Sequence, residues 1–339
     1  MTTKEQVLNI LNNNNGAYIS GQEIADKIFV TRAAVWKAIK SLEKDGHIIE
    51  AVTNKGYRLK KNLDTINPSY IQKSLSKKWS RTKVLYFDEI DSTNDEAKRQ
   101  AEGSTNDLII ISNKQTNGRG RRGRSFHSPA NTGLYFSVLL HTNCFSEKLA
   151  GITGIAASST AKAIDDVIFN GIDTTGIKWV NDIFINGKKV AGILSEACNY
   201  MEDESSNFII IGFGINVFEP EDGFPKDIKK TAAAVLSKES DYYKDNNNLS
   251  SLRNNLIVSI LNNLLEFIDN KNESLKIYKN KSILIGNYVK INSFANTNDK
   301  DKKRYARVTG INSKYHLMIQ YEDGKKDELS SGEVSVVKY

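Results

Sequence analysis

The sequence predicts an α+β protein of several domains: an N-terminal winged helix-turn-helix, a central domain built on a mixed β-sheet, and a small C-terminal β-barrel of the SH3-like kind. Three observations support this. Helical periodicity with capping residues occupies residues 1–60, strand-like apolar runs around one long helix fill the middle of the chain, and short strands separated by turns follow residue 283. The expected domains are residues 1–65, 66–280 and 281–339.

The bulk composition fits a soluble protein of the cytoplasm. The chain has 339 residues, 39% hydrophobic and 26% charged, so it can bury a full core. Its net charge of +7 permits contact with nucleic acid without requiring it. The two cysteines, Cys144 and Cys198, have neither metal-ligand nor redox spacing, which suits a reducing compartment. There is no signal-peptide pattern and no apolar run of roughly 18 residues, so we expect no membrane association.

The first 45 residues carry the pattern of three short helices. Apolar residues from Val7 to Leu11 mark the first helix. A capping box starts the second: Ser20 is expected to accept from the N–H of Glu23, whose side chain would reach back to Ser20. Thr31 is the expected N-cap of the third helix. The predicted buried stripe of that third helix consists of Val35, Ile39 and Leu42.

The opposite face of the third helix carries small and basic residues, as a recognition helix in the major groove requires. A β-hairpin, or wing, is expected next, with strands at residues 48–52 and 57–59. A plain three-helix bundle with a solvated basic face would explain the helices but not the hairpin, so we favour DNA binding. The expected DNA contacts are Ser20, Arg32, Ala33, Trp36, Lys37, Lys40 and Lys55.

A polar linker at residues 60–68 leads into the central domain. Its predicted strands lie at residues 83–87, 108–112, 133–140, 183–185, 190–195 and 208–213. Residues 150–169 have the periodicity of a helix, and a polar loop at residues 241–255 precedes a long amphipathic helix from Leu256 to Ile268. The C-terminal strands are expected at residues 288–291, 305–309, 317–321 and 334–337, with a turn at residues 298–299.

The segment from Gly118 to Arg124, GRGRRGR, contains four arginines and three glycines. Glycine lets backbone N–H groups turn toward a ligand, and arginine offers a permanent charge in a planar fork that matches phosphate or carboxylate. We expect an anion-binding loop that is mobile until an anion binds. An RG-rich segment that contacts nucleic acid loosely and a solvated turn are the alternatives, but the strand-like runs on both sides place the loop inside a folded domain.

Three further groups of polar residues lie beside the predicted strands, where sheet scaffolds usually present a site. Each has a simple structural explanation: a helix cap, a solvated turn or a tight turn. They are Asp91 to Asn94, Lys178 to Asp182 continuing into Lys188 to Glu196, and Gly212 to Val217.

Together and in this order, GRGRRGR, KWVND, KKVAGIL and GFGIN resemble the motifs of the biotin protein ligases, and the N-terminal module is similar to that of the bifunctional members that also repress the biotin operon. The resemblance covers nearly the whole chain. It implies a class II synthetase-like central domain that uses biotin, ATP and Mg²⁺ to form biotinyl-5′-AMP. Biotin is then transferred to a lysine of a biotin carboxyl carrier protein of the acetyl-CoA carboxylase or pyruvate carboxylase type. Operator DNA and a homodimer in the adenylate-bound form are the other implied partners.

The resemblance also assigns residues by motif position. The implied catalytic residues are Lys189, Arg121 and Asp182. The implied biotin-binding residues are Ser92, Thr93, Asn94, Gln115, Arg119, Gly120, Arg121 and Lys189. The implied adenylate- and phosphate-binding residues are Gly118, Arg121, Arg122, Arg124, Phe126, Asn181 and Asn216. Positive charge suits this chemistry because an anionic carboxylate must approach an anionic phosphate. No metal site is implied beyond Mg²⁺ bound with ATP.

Two positions depart from the family pattern. Phe126 stands where tryptophan is frequent, which keeps an apolar lid but loses an indole N–H. Val180 stands where proline is common. His127 could be a general base, but no orienting partner is evident, so we favour a structural role. Three other functions remain compatible with these residues: a ligand-sensing transcription factor without ligase turnover, a lipoate ligase, and a monofunctional ligase with an inactive helix-turn-helix.

Overall fold

A computed structural model of the chain describes residues 2–14, 16–44, 47–61, 64–101, 106–142, 151–199, 207–237, 251–292 and 304–337. They fall into two compact units, one that includes residues 1–65 and one that includes residues 66–238 and 253–339. Cys144, the side chain of Cys198, the predicted turn at residues 298–299 and most of the predicted loop at residues 241–255 lie outside the described residues. The predicted boundary near residue 280 stays a prediction.

The N-terminal unit has three helices followed by a two-stranded hairpin, as the sequence predicts. Its elements are α1 (Thr3–Asn13), α2 (Gly21–Ile28), α3 (Arg32–Lys44), β1 (Ile48–Val52) and β2 (Gly56–Lys61). The hydroxyl of Thr31 accepts from the N–H of Ala34 at 3.2 Å and caps α3. The core contains Val7, Leu11, Ile24, Val35, Ile39 and Leu42.

The hairpin is fixed to the segment before α2 by backbone pairing. Ile19 and Tyr57 exchange two backbone hydrogen bonds, at 2.9 and 2.8 Å. Gly56 precedes Tyr57 with φ at +97°, and a Cβ there would lie 2.1 Å from the carbonyl oxygen of Ile19. Position 56 therefore requires glycine, both for its backbone angle and for the close approach of the two segments.

Of the two hydrogen bonds predicted for the capping box of α2, one is present and the other is wrong. Ser20 Oγ accepts from the N–H of Glu23 at 3.0 Å, as expected. The Glu23 carboxylate accepts from Lys27 Nζ at 3.2 Å instead of reaching back to Ser20. Lys27 lies one helical turn further on the same face, where it offers a charged donor. A complete capping box occurs at α1, between Thr2 and Glu5.

The second unit is built on a seven-stranded mixed sheet, which confirms the predicted class of the central domain. Its strands are β3 (Lys83–Phe87), β4 (Leu108–Ser112), β5 (Gly133–Thr142), β6 (Gly176–Lys178), β7 (Asp182–Ile185), β8 (Lys188–Asn199) and β9 (Asn207–Asn216). The order is β3-β4-β5-β9-β8-β7-β6. Only the pair β3 and β4 is parallel, because a helix connects them; the other neighbours are antiparallel.

The helices of this unit are α4 (Pro68–Ser74), α5 (Thr93–Ala101), α6 (Ile152–Ile168), α7 (Leu252–Asp269) and α8 (Lys271–Asn280). The polar linker ends earlier than predicted, because Asn67 caps α4 and Pro68 is its first residue, a favourable position for proline. The predicted polar loop before residue 256 is also too long, since α7 already begins at Leu252. None of the helices in the described part of the chain is both long and apolar enough to cross a lipid bilayer.

Helix α4 covers the free edge of the sheet. The carboxamide of Gln72 accepts from the N–H of Val84 at 3.2 Å and donates to the carbonyl of Thr82 at 3.1 Å. One side chain thus satisfies backbone groups that β3 would otherwise expose at the sheet edge.

The C-terminal residues form a five-stranded antiparallel sheet in the order β13-β12-β11-β10-β14. Its strands are β10 (Tyr288–Asn292), β11 (Arg304–Ile311), β12 (Leu317–Tyr321), β13 (Lys326–Leu329) and β14 (Glu333–Val336). Four of them were predicted; β13 has the sequence KDEL, which lacks an apolar face. The antiparallel sheet is confirmed, while its closure into an SH3-like barrel stays a prediction.

Tyr315, in the turn before β12, anchors this sheet to the rest of the unit. Its side chain is 2% exposed and packs against the first turn of α6, where Gly151 and Gly154 leave room for the ring. Its hydroxyl donates to Ser274 Oγ at 2.8 Å, and its ring meets that of Tyr278 edge-on with centroids 5.2 Å apart. Both partners belong to α8, so one tyrosine joins two helices to the C-terminal sheet.

Gly154→Ala tests this packing. A Cβ at position 154 would lie 2.2 Å from Tyr315 Cδ1, so overpacking should destabilise the protein by about 1–3 kcal/mol. Helix propensity alone predicts the opposite sign, a gain of up to ~1 kcal/mol. Urea unfolding distinguishes the two. Gly310→Ala is the matched control, because its Cβ would meet nothing closer than Met318 Sδ at 3.9 Å. A Gly154→Ala protein as stable as wild type would contradict the anchoring role.

Candidate active site and DNA-binding surface

The arginine-rich loop, residues 118–124, lies between β4 and β5 and folds back on itself. Phe126 N–H donates to the carbonyl of Gly118 at 2.8 Å, and Gly120 N–H donates to the carbonyl of Arg124 at 2.7 Å. A Cβ on Gly118 would lie 2.4 Å from the carbonyl oxygen of Phe126, so this glycine allows the base of the loop to close. Arg122, at the tip, has φ at +61°.

Two arginines of the loop turn toward the sheet. Arg119 Nη1 donates to Asp95 Oδ1, in α5, at 2.5 Å, and this bond raises the pKa of Arg119. Arg121 Nη1 donates to Asn181 Oδ1 at 3.1 Å. Burial lowers the pKa of Arg121, but a guanidinium group stays protonated at any accessible pH. Arg121 is therefore a half-buried permanent charge.

The other two arginines of the loop share one carboxylate on the C-terminal sheet. Arg124 donates to both oxygens of Glu333, in β14, at 2.8 and 2.9 Å, and Arg122 Nη1 donates to Oε2 at 3.3 Å. The bond from Arg124 holds the pKa of Glu333 below its usual value. A bidentate pair of this kind fixes the orientation of both groups. The motif search missed Glu333, because it lies in a different sheet and far along the sequence.

A cavity of about 480 Å³ opens between the loop, the turn from β6 to β7, the start of β8, residues 228–232 and β14. We call it the large cavity. Its lining includes Gly120, which the resemblance assigned to biotin binding. It also brings together residues assigned to catalysis and to the adenylate: Arg121, Arg122, Arg124, Phe126, Asn181, Asp182, Lys189 and Asn216. Six cationic groups of this lining, Lys178 and Lys230 among them, face a space the size of a small ligand.

Lys189 and Asp182 form an ion pair inside the large cavity, with Nζ and Oδ1 2.7 Å apart. The two residues belong to neighbouring strands, where Asp182 pairs with Gly192 across β7 and β8. A Cβ on Gly192 would lie 3.0 Å from Lys189 Nζ. The glycine of the KKVAGIL motif therefore leaves space for the lysine amine to lie over the strand.

The turn that carries Asn181 is held from both sides. Asn181 Nδ2 donates to the carbonyl of Ile193 at 2.9 Å, and Tyr278 Oη donates to the carbonyl of Val180 at 3.0 Å. Trp179 donates its indole N–H to the carbonyl of Tyr315 at 2.9 Å, and the Trp179–Val180 peptide bond is cis. Burial raises the pKa of Tyr278 well above its ordinary value, so it remains a neutral donor. No sequence motif pointed to Tyr278.

A second cavity, the small cavity, measures about 20 Å³, room for about one water molecule. Its lining includes predicted biotin-binding residues, namely Ser92, Thr93, Asn94, Gln115 and Arg119, together with residues of β8 and β9. Phe126 lines both cavities, whereas Gly118 lines neither. The predicted biotin-binding residues thus divide between two neighbouring spaces.

Two glycines of β9 make room for two side chains that line the small cavity. A Cβ on Gly212 would lie 2.1 Å from Asn94 Oδ1, and a Cβ on Gly214 would lie 2.7 Å from the ring of Phe126. The GFGIN motif is therefore a strand on which two other side chains rest, not a tight turn. The same strand ends at Asn216, whose Nδ2 donates to the carbonyl of Ala233 at 3.1 Å.

Ser92 fills both roles that the sequence allowed. Its hydroxyl accepts from the N–H of Asp95 at 3.4 Å at the start of α5, and its side chain also lines the small cavity. Thr93, next along, donates its N–H to Gln115 Oε1 at 2.9 Å. Gln115 Nε2 donates to Ser128 Oγ at 2.9 Å. These bonds connect α5 to the segment that follows the arginine-rich loop.

His127 lines the large cavity, and burial lowers its pKa, so the imidazole is neutral at pH 7. The charge of Asp227 raises that pKa, but more weakly than burial lowers it. Within the described ranges, no three His, Cys, Asp or Glu side chains group as a metal cage.

The predicted DNA contacts of α3 share its outer face. Arg32, Ala33, Trp36, Lys37 and Lys40 are all exposed, opposite the buried stripe of the helix. Trp36 is 53% exposed, a large fraction for an indole. Lys40 also pairs with Glu43 at 2.7 Å.

The other two predicted DNA contacts lie outside α3. Ser20 caps α2, and Lys55 projects from the turn of the wing with Nζ 5.8 Å from the ring centre of Tyr18. The guanidinium of Arg58 lies 4.7 Å from the same ring, so the wing carries two cations around one tyrosine.

Comparison with known proteins identifies the family. The biotin/lipoate A/B protein ligase family matches residues 84–216, and a helix-turn-helix domain family matches residues 3–58. The bifunctional ligase/repressor BirA of Bacillus spizizenii is 36% identical over 235 residues, which cover 69% of this chain and 71% of that protein. The chain belongs to the BirA family of bifunctional ligase/repressors. The membership predicted from the four motifs is thus confirmed.

Two further relatives match a larger share of the chain. The BirA protein of Escherichia coli is 26% identical over 333 residues, 95% of this chain and 94% of that protein. Among solved structures, the biotin protein ligase of Aquifex aeolicus in complex with biotin and ATP is 28% identical with a TM-score of 0.56, and it covers 76% of this chain and 99% of its own. The BirA-family fold of the second unit is therefore shared with a ligase that binds both substrates.

Glu333→Gln tests the contact between the arginine-rich loop and the C-terminal sheet. Glutamine keeps one acceptor oxygen but carries no charge, so Arg122 and Arg124 lose their ion pairs and the loop should open more often. Because trypsin cleaves after arginine, cleavage within residues 118–124 should become roughly three-fold faster or more. Glu322→Gln removes a charge from an exposed turn of the same sheet and should not change the rate. Equal cleavage rates in wild type and Glu333→Gln would show that the ion pairs do not restrain the loop.

Proposed function

We propose that this chain joins biotin to ATP to form biotinyl-5′-AMP, transfers biotin to a lysine of a biotin carboxyl carrier protein, and represses transcription when the adenylate is bound. The observation that carries the proposal is the meeting of Arg121, Asn181, Asp182 and Lys189 in one cavity beside a second, smaller polar one. Membership of the BirA family supports both activities.

The first step requires positive charge at the large cavity. A carboxylate oxygen of biotin attacks the α-phosphorus of ATP, the bond from that phosphorus to the bridging oxygen breaks, and pyrophosphate leaves with the electron pair. Arg121 is half-buried and pinned to Asn181, and Lys189 is held by Asp182. Fixed cations of this kind offset the repulsion between carboxylate and phosphate without reorganising.

The second step uses the same cations. The amine of the carrier lysine attacks the carbonyl carbon of the mixed anhydride, the bond to the phosphate oxygen breaks, and AMP leaves. Lys189 can stay close to the carbonyl and phosphate oxygens in both steps. The proton of the attacking amine goes to solvent or to Asp182, the carboxylate nearest to Lys189. His127 has no assigned part in this scheme.

Mg²⁺ fits this site as a companion of ATP. Magnesium commonly takes one or two protein oxygen ligands together with phosphate oxygens and water. Asp182 and Asn181 offer such oxygens at the large cavity, and the described residues form no closed cage of carboxylates that would hold the ion alone. When bound, the ion would neutralise phosphate charge.

The two cavities suggest how biotin lies. The small cavity offers the buried polar groups that a urea ring needs, because each N–H and the carbonyl must find a partner. The carboxylate of biotin would then extend past Phe126 toward Lys189. Since the small cavity holds only about one water molecule at its size of about 20 Å³, Phe126 and the arginine-rich loop must move for biotin to enter.

Repression follows from the same movement in this proposal. The bound adenylate orders the arginine-rich loop, the ordered loop favours a homodimer, and the dimer places two recognition helices on a palindromic operator. The exposed basic face of α3 supports DNA binding by the N-terminal unit.

The alternatives predict different behaviour. A ligand sensor without turnover would bind biotin and ATP yet transfer nothing in a single-turnover assay with an acceptor domain. A lipoate ligase would prefer lipoate when the two acids compete in pyrophosphate exchange. The joint presence of Arg121 and Lys189 at the large cavity favours an active ligase.

Lys189→Ala tests the chemistry. Removal of the amine should lower biotin-dependent exchange of pyrophosphate into ATP by about 10²-fold or more, because a transition-state charge partner is lost. Lys188→Ala, which removes an exposed amine from the adjacent residue, is the control and should keep wild-type activity. Unchanged exchange in Lys189→Ala would show that its role is wrong.

An operator-shift assay tests repression. Binding should be tighter with biotin and ATP than without them, at fixed salt. Lys37→Ala should weaken binding to all DNA sequences alike and reduce the slope of log affinity against log salt by about one unit. Lys276→Ala, an exposed lysine of α8, should leave both quantities unchanged. Equal operator affinity with and without the two substrates would remove the regulatory part of the proposal.

A further inference from the structure

Glu196 contacts Asn94, which lines the small cavity, but belongs to none of the assigned residue sets. It stands on β8 opposite Ile210 of β9, and its side chain is 22% exposed. Its Oε2 accepts from Asn94 Nδ2 at 2.8 Å, and its Oε1 accepts from Lys98 Nζ at 2.8 Å. Glu196 therefore holds the first and second turns of α5 against the sheet.

The carboxamide of Asn94 is bound at both ends. Its Nδ2 donates to Glu196, and its Oδ1 accepts from Ser137 Oγ at 2.6 Å. Asn94 and Ser137 are both buried, at 4% and 0% exposure, so neither end of the amide can use bulk water instead. Because an ionised carboxylate only accepts hydrogen bonds, Glu196 decides which end of the amide is nitrogen.

That choice sets the direction of a longer chain of hydrogen bonds. Ser137 has one proton, and Asn94 Oδ1 can only accept, so the proton of Ser137 goes to Asn94. The hydroxyl oxygens of Thr93 and Ser137 lie 2.8 Å apart. Because the Ser137 proton is directed to Asn94 in the shorter contact of 2.6 Å, we infer that Thr93 supplies the proton between the two hydroxyls. Gln115 Oε1 accepts from the N–H of Thr93 at 2.9 Å and also lies 3.2 Å from the Thr93 hydroxyl. When that hydroxyl turns to the closer Ser137 Oγ, Gln115 Oε1 keeps the backbone N–H as its donor.

The other end of the chain is fixed by backbone groups. Gln115 Oε1 faces a backbone N–H, so Gln115 Nε2 donates to Ser128 Oγ at 2.9 Å. Ser128 Oγ in turn donates to the carbonyl of Phe126 at 3.0 Å. With the Ser137 proton directed to Asn94, each hydrogen bond from Phe126 to Glu196 has one donor and one acceptor. The two sources of direction are the backbone and the charge of Glu196.

Glu196 keeps that charge. Partial burial alone would raise the pKa of Glu196, but the hydrogen bonds from Lys98 and Asn94 outweigh burial and lower the pKa below its ordinary value. The guanidinium of Arg119, 3.9 Å from Oε1, favours the ionised form as well.

We propose that Glu196 is a positioning residue for the urea ring of biotin: through Asn94 it fixes which small-cavity groups donate and which accept, without touching the ligand. A urea has two N–H donors and one acceptor oxygen, so a pocket whose polar groups point the wrong way would leave buried groups unpaired. This inference rests on the proposed ligase function and deepens it.

Glu196→Gln is the sharpest substitution, because it preserves the shape of the side chain and removes only the obligatory acceptor. The new amide can donate or accept, so the carboxamide of Asn94 can flip. The donor and acceptor roles along the chain of hydrogen bonds are then no longer fixed. We expect the KM for biotin in pyrophosphate exchange to rise about ten-fold, with the KM for ATP within about two-fold of wild type. Discrimination between biotin and 2-iminobiotin, in which an imino group replaces the urea oxygen, should fall.

Lys98→Ala is the matched control. It removes the ion pair between Lys98 of α5 and Glu196 but leaves the hydrogen bond between Glu196 and Asn94 intact. The KM for biotin should therefore stay within about two-fold of wild type. A rescue variant combines Glu196→Gln with Asn94→Asp. The carboxylate is then at position 94, where it accepts from Ser137 and from the new glutamine, and it should recover part of the lost discrimination.

Three results would overturn the inference: an unchanged KM for biotin in Glu196→Gln, an equal rise in Lys98→Ala, or a KM for ATP that rises as much as that for biotin. If Glu196→Gln does not fold, as judged by its melting temperature, Ser137→Ala tests the same chain of hydrogen bonds. It removes the hydroxyl that connects Asn94 to Thr93, and the KM for biotin should rise by the same factor. A wild-type protein without biotin-dependent exchange would refute the proposed function itself, whereas an active wild type with an unaffected Glu196→Gln refutes only this inference.

Discussion

Mutual repulsion among four guanidinium groups in seven residues is the constraint on which the architecture of the site depends. The fold separates them. Arg119 pairs with α5, Arg122 and Arg124 share Glu333 on the C-terminal sheet, and Arg121 is directed into the large cavity, where its partner is the neutral Asn181. Because each of the other three arginines is paired with a carboxylate, one of them shared, Arg121 is the guanidinium of the loop that is available to an anion.

This distribution explains why two sheets contribute to one site. The seven-stranded sheet supplies Lys189, Asp182 and the glycines on which Asn94 and Phe126 rest. The C-terminal sheet supplies Glu333 and the carbonyl of Tyr315 that receives the indole of Trp179. Tyr278, from α8, completes the support of the turn before Asp182. The polar side chains that face the large cavity are thus held by contacts far from them in sequence.

Local features of the fold could be predicted from the sequence, whereas partners that are distant in sequence could not. The helices of the N-terminal unit, six strands of the central sheet and the motif residues were predictable, since periodicity, caps and spacing are local properties. The short elements β6, α4 and β13, of three to seven residues, were missed because they carry too few apolar positions. The Glu23 side chain was misassigned because two donors compete for it locally. Glu196, Tyr278 and Glu333 were not predictable as partners, because sheet register and strand order bring them to the site.

The anchoring of Tyr315 also bears on attempts to shorten the protein. A truncation near residue 280 would remove the ring that fills the space beside Gly151 and Gly154, leaving a hole against α6. It would also remove the acceptor of the Trp179 indole and the carboxylate that Arg122 and Arg124 share. The packing of the ligase therefore depends on the C-terminal sheet, and a shortened enzyme would have to retain it.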